Sequence, residues 1–142
     1  YIKDPTVTVL ADSEASYIRL MVTVNGYNQL MNAFPQNKYP EYWNGDMFLL
    51  QKLVTGWDGG VWESTNFDPN TNTYEFRYYT TVSTVDTAAV KLAPLFTKVV
   101  IPGFLTNEQI TALNNIQIVI NAHAIQADGF AGVDAAWAQW TN

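Results

Sequence analysis

Tyr17-Ile18-Arg19-Leu20-Met21-Val22-Thr23-Val24, followed by the turn pair Asn25-Gly26, alternates apolar residues at period two. Ile18, Leu20, Val22 and Val24 fall on one face, the pattern of a strand buried on one side. Tyr17, Arg19, Met21 and Thr23 fall on the other, mixed enough to meet water, a covering segment or another chain.

Working outward, Thr6-Val7-Thr8-Val9 reads as a strand with Val7 and Val9 on one face, separated from the first by the polar turn Asp12-Ser13-Glu14. From Tyr27 onward the period changes. Gln29–Phe34 and Asp46–Leu53 are expected as short helices, with an ordered, aromatic-rich loop between Pro35 and Trp43. Trp57–Trp62 contains Asp58-Gly59-Gly60 and reads as a hairpin. A second hairpin joins Glu63–Phe67 to Tyr74–Thr81 through Asp68-Pro69-Asn70-Thr71-Asn72. Pro94–Pro102 reads as a strand bounded by prolines. Thr106 and Gln109 form a capping box that opens a helix to about Leu113, and Ile116–Ile125 alternates again as a long strand. Trp137 and Trp140, three apart, share a face of a closing helical turn. The expected fold is all-β, an antiparallel jelly-roll-type sandwich with short helices inserted in its loops. One domain spans 1–142, with a helical and aromatic insert at about 27–56.

The chain has 142 residues, 48% hydrophobic and only 14% charged, with 14% aromatics, so it is expected to bury a sizeable core rather than remain disordered. A net charge of -6 without a basic stripe repels phosphate backbones and argues against nucleic acid as a partner. Zero cysteines remove disulfides, thiolate nucleophiles and Cys-ligated metals. The longest apolar stretch, Ile116–Ile125, is interrupted by Gln117, Asn121 and His123 and is too short for a membrane span. The start at Tyr1, with neither a Met nor a basic and apolar leader, reads as a mature or trimmed form.

Little in the sequence speaks of chemistry. His123 is the single histidine, so no multi-imidazole zinc site can be built, and no serine sits in a G-x-S-x-G motif. Asp68-x-Asn70-x-Asn72 copies the first oxygen positions of a calcium loop. Thr73 and Tyr79, however, stand where its glycine and bidentate Glu belong, and a plain hairpin turn is the better reading. Gly59-Gly60 lacks the following Lys-Ser/Thr of a phosphate loop, so no cofactor is expected. The scattered carboxylates form no evident pair, and no catalytic residue is expected. Tyr39, Tyr42, Trp43, Trp57 and Trp62 could stack on a sugar face or cap the core; the core is favoured, because large aromatics supply much of a domain's burial energy.

Three stretches carry a family resemblance: YIKDPTVTVLADSEASYIRLMVTV, KLAPLFTKVVIP, and IQIVINAHAIQADGF followed by DAAWAQW. In order and spacing they resemble the TasA-like exported proteins of Gram-positive bacteria, whose secretion depends on the signal peptidase SipW. PEYWNGDMFLLQKLVTGWDGGVWE is similar to the insert of one branch. The resemblance implies a jelly-roll sandwich, export to the cell surface or biofilm matrix, and a structural role in fibres or coats. Its partners would be other copies of the chain or related subunits, with no membrane insertion in the mature form. Members carry a segment ahead of the KDPTVTV strand, where this sequence has only Tyr1-Ile2. The camelysin branch has been labelled metalloprotease, an activity for which one histidine provides too few ligands. The expected mode of assembly is strand donation, with Val7, Val9, Ile116, Ile118 and Ile120 at the accepting edge. A monomeric surface module that binds a glycan or host protein through the aromatic insert is the second reading.

Overall fold

The computed structural model describes residues 5–43, 53–100 and 102–140. Its elements are β1 (Thr8–Val9), β2 (Ser16–Asn25), α1 (Tyr27–Ala33), a 3-10 turn (Pro40–Trp43), β3 (Val54–Thr55), β4 (Trp62–Asp68) and β5 (Thr73–Tyr78), followed by β6 (Val90–Lys91), β7 (Lys98–Val99), α2 (Asn107–Asn115), β8 (Gln117–Gln126) and α3 (Val133–Ala138). The fold is β-rich and antiparallel. Its main sheet runs β4-β5-β2-β8, and two ribbons, β1-β6 and β3-β7, accompany it.

β2 is the spine, because its alternation lets it pair on both sides while burying one face. Ile18, Leu20, Val22 and Val24 are all buried on the inner face, beside Tyr74 and Phe76 of β5 and Trp62 of β4. Against them pack Leu30 and Met31 of α1 with Phe34 just after it, Ala112 and Leu113 of α2, and Leu92, Leu95 and Phe96 from the segment around the ribbons. Burying such side chains is the main stabilising term, at roughly 1.5–3 kcal/mol each.

Local chemistry sets the joints. Gly26 sits between β2 and α1 at φ 83°, a left-handed conformation that strains any other residue, and a Cβ there would also crowd the Asn115 carbonyl oxygen at 3.2 Å. The β4–β5 turn closes with Asn72 in the left-handed region at φ 52°, while Asp68 Oδ1 accepts from the Asn70 amide at 2.9 Å. The capping box opens α2: Thr106 Oγ1 accepts from the Gln109 amide, and Gln109 Oε1 accepts from the Thr106 amide. Buried Gln109 then donates from Nε2 to the Ala33 carbonyl at 2.9 Å and to the Tyr39 hydroxyl at 2.7 Å, tying α2 to α1 and the aromatic loop.

Two expectations change, and a third falls outside the described residues. Residues 58–62 do turn, with the Asp58 carbonyl accepting from the Val61 and Trp62 amides, but no hairpin results. β3 pairs with β7 and β4 with β5, so the turn links two separate ladders. Among the described residues of the 94–102 run only Lys98–Val99 is strand: neighbours Leu95 and Phe96 are both buried, which a pleated strand with alternating faces cannot provide. The helix expected at Asp46–Leu53 lies outside the described residues except for Leu53, which is buried.

Candidate functional site

The outer face of the main sheet gathers the residues most capable of polar chemistry. Both arginines of the chain, its single histidine and two of its five tryptophans meet there. Register brings them together. Arg19 of β2 stands opposite Arg77 of β5 on one side and His123 of β8 on the other, and Glu75 lies one outward position along β5.

Glu75 is the centre of this cluster and is 6% exposed. Its Oε2 accepts from Arg19 Nη1 at 2.7 Å, and its Oε1 accepts from Arg77 Nε at 3.1 Å and from the Thr65 hydroxyl. Thr65 reaches it because β4 bulges between Ser64 and Asn66, turning one extra side chain onto the sheet. Burial pushes the Glu75 carboxyl up, but the hydrogen bonds from Thr65 and Arg19 and the charges of both arginines outweigh it and hold its pKa below the ordinary value. Arg77 also donates to Asp134 of α3 through Nη1, so two guanidinium groups meet two carboxylates.

The C-terminal segment lies over this charge cluster. Trp137 places its ring 4.2 Å from the Arg19 guanidinium carbon, a cation–π contact with a largely desolvated cation. Trp140 stacks on His123 with centroids 4.4 Å apart. Arg19 Nε donates to His123 Nδ1 at 3.1 Å, so the neutral imidazole carries its proton on Nε2. Burial, then the Arg19 charge, lowers the His123 pKa, with Glu75 opposing. The Trp137 indole nitrogen is buried without a hydrogen-bond partner among the described residues. With both Glu75 oxygens engaged and its hydroxyl neighbour donating to it, the arrangement acts as a clasp that fixes β4, β5, β2 and α3 together.

The aromatic residues singled out by sequence fall into two groups. Tyr39, Tyr42 and Trp43 gather around Phe34: Tyr39 and Tyr42 each lie 5.3 Å from its ring, and Trp43 Nε1 donates to its carbonyl at 2.7 Å. Trp57 and Trp62 pack instead on Phe76 and Tyr78, with Trp62 Nε1 donating to the Ala93 carbonyl. Tyr42 and Trp62 are buried, and the other three are half-buried against the core. No ring contact joins the two groups among the described residues. Of the calcium-loop lookalike, Asp68 caps its own turn and the Asn72 carbonyl accepts from the Val24 amide. Among the described residues no group of three or more His, Asp or Glu could hold a metal.

The expected assembly residues separate as well. Val7 lies just ahead of β1 and Val9 within it, on the β1–β6 ladder, whereas Ile118 and Ile120 lie on β8 and Ile116 directly precedes it. β8 is an edge strand. The Ala127 amide donates to the Ala15 carbonyl, and Ser16 exchanges both bonds with Val82, so alternation directs Val119, Asn121, His123 and Ile125 toward β2. The backbone groups of Ile120, Ala122, Ala124 and Gln126 point the other way, and among the described residues no strand pairs with them. Ala122 and Ala124 belong to the inner face yet are exposed.

Set against known proteins, the chain gives no significant match to a family model, a curated protein or a solved structure.

Proposed function

We propose that this domain is an exported structural subunit, a jelly-roll-type sandwich that builds an extracellular fibre or matrix coat by accepting a strand from a neighbouring copy along β8. One observation carries the reading. β8 is ten residues long, unbulged and free of Asp, Glu, Lys and Arg, and its outer backbone groups from Ile120 to Gln126 face away from the sheet. Such an edge is a template for another strand, and natural monomers usually guard against it with charge, proline or a bulge. Exposed Ala122 and Ala124 leave room on the inner face for larger side chains of an incoming strand. Main-chain bonds would give strength and the alternating inner side chains register. The resemblance of the TVTV, KLAPLFTKVVIP and AIQADGF stretches to the TasA-like group supports the same reading.

Light scattering and negative-stain microscopy of the mature protein test it. Fibres are expected, and Ala122→Lys, which plants a charge on the inner side of the open edge, should abolish them without unfolding the domain. Asn66→Lys on the opposite edge should leave them intact. Monomers at every concentration, or equal loss of fibres in both variants, would overturn the reading.

A further inference from the structure

Beyond assembly, we infer that the outer face of the β4–β5 half of the sheet is a binding site for a neutral carbohydrate, with Tyr17 and Tyr79 as its stacking platform. The site is a depression of about 570 Å³ bordered by Tyr17, Glu63, Arg77, Tyr79 and Asp134, a volume within the range of about 300–1,000 Å³ that small-molecule sites occupy.

Its floor follows from a register defect. Arg19 pairs with Arg77, but Ser16 pairs with Val82, so β2 advances three residues while its partner advances five. The surplus lies at Tyr79–Thr81, opposite Tyr17; Tyr79 still holds β4 through its amide to the Val61 carbonyl, takes the next outward position after Glu75 and Arg77, and is 63% exposed, unusual for so large a ring. Tyr78, its neighbour in sequence, packs inward on Trp62 and supports it from 5.0 Å.

Two carboxylates at the rim of the depression keep free acceptor oxygens. Glu63 stands opposite Arg77 across the β4–β5 ladder and makes no ion pair or hydrogen bond among the described residues. Asp134 gives only Oδ1 to Arg77, leaving Oδ2 and an almost fully exposed side chain at the other rim. Flat rings match the C–H faces of a pyranose, and carboxylates accept paired hydroxyl donors. Charge selects among ligands. The single cation, Arg77, is already engaged by Glu75 and Asp134, so an anionic ligand would face two carboxylates with no free counter-charge. A cationic peptide would be drawn to the same carboxylates, so polylysine is the competitor the test includes; the exposed Tyr79 ring beside Tyr17 favours the apolar face of an uncharged polyol.

The rings assigned here are not those of the aromatic insert, and the site lies on the sheet face away from the core. Binding and assembly are therefore separable, and Ala122→Lys should leave carbohydrate affinity unchanged. The test is a printed array of neutral oligosaccharides (gluco-, chito-, manno- and galacto-series), followed by calorimetry with the strongest tetrasaccharide. Tyr79→Ala should weaken binding by at least about tenfold, Tyr79→Phe should retain it, and Glu63→Gln should reduce it severalfold. Melting curves of the three variants verify folding, which their exposed positions favour. Failure of every neutral glycan to bind, selection of only uronic or sulfated sugars or of polylysine, or unaltered affinity in both Tyr79→Ala and Glu63→Gln would overturn the assignment.

Discussion

The main sheet ends in two edges built in opposite ways. β4 spans seven residues, breaks its register at a bulge and carries Glu63, Asn66 and Asp68. β8 spans ten, keeps one register with β2 from end to end, and has no acidic or basic side chain other than His123. The bulge that spoils β4 as a template also delivers Thr65 to Glu75, so the protected edge and the charged clasp share one structural origin. β8 has the reverse arrangement: its outward residue His123 is covered by Trp140, but its backbone edge beyond Ile118 is uncovered by any described strand.

If the clasp is what fixes β4 on the sheet, Glu75→Gln should have the largest effect on stability. It leaves two largely buried guanidinium groups facing one another without their shared anion, and breaking a buried pair from one side costs about 3–5 kcal/mol. Urea denaturation measures this directly. Amide exchange should show β4 opening before β8; simultaneous opening, or a loss under about 1 kcal/mol, would break the link between bulge and clasp.

Acid probes the same contrast without mutation. The folded His123 pKa lies below its ordinary value of 6.5, so the unfolded chain takes up that proton first, and stability falls as pH drops from neutrality through 6.5 to the folded value. The folded Glu75 pKa is also depressed, so its contribution is present above the ordinary carboxylate range and is lost as pH falls through its lower folded value. Urea midpoints between pH 8 and pH 3 should therefore decline in two stages. His123→Gln should remove the first stage and leave the second. A wild-type profile with no decline between pH 7 and pH 5 would separate the imidazole from the stability of the β8 side.

How far this was legible beforehand differs between the two faces of one strand. The inner face of β2 announces itself through Ile18, Leu20, Val22 and Val24, and β8 does so through its own alternation, because burial on one side imposes a period that a single segment records. Glu75 and Arg77 share the outward face of β5, but only strand register unites them with Arg19 and His123, and Trp137 reaches the cluster from α3. Register depends on pairing between segments 56 and 104 residues apart, which no local period encodes. One available signal was the concentration of both arginines and the sole histidine on outward positions of predicted strands. The insert aromatics were legible as large rings but not by direction, since Trp57 and Trp62 join the Phe76 side of the core while Tyr39, Tyr42 and Trp43 join Phe34. The 94–102 run misled because its apolar content comes from Leu95 and Phe96 facing inward together, a geometry that irregular backbone permits and a strand forbids.

The smallest effect belongs to Asp134, and its smallness is informative. Asp134 completes the charge balance of the cluster on paper, yet its side chain is 89% exposed while Glu75 is held at 8%. Solvent screens the first carboxylate and not the second, so Asp134→Asn should change unfolding free energy by no more than about 1 kcal/mol. Docking of α3 would then rest on Trp137 over Arg19 and Trp140 over His123, contacts that salt does not screen at such short range. Tryptophan fluorescence of Asp134→Asn across added salt distinguishes the two supports. An emission maximum unchanged from wild type, at low and high salt alike, assigns the closure of the C-terminal segment to its rings; a red shift at low salt would show that the exposed ion pair holds the helix down and that the rings merely follow.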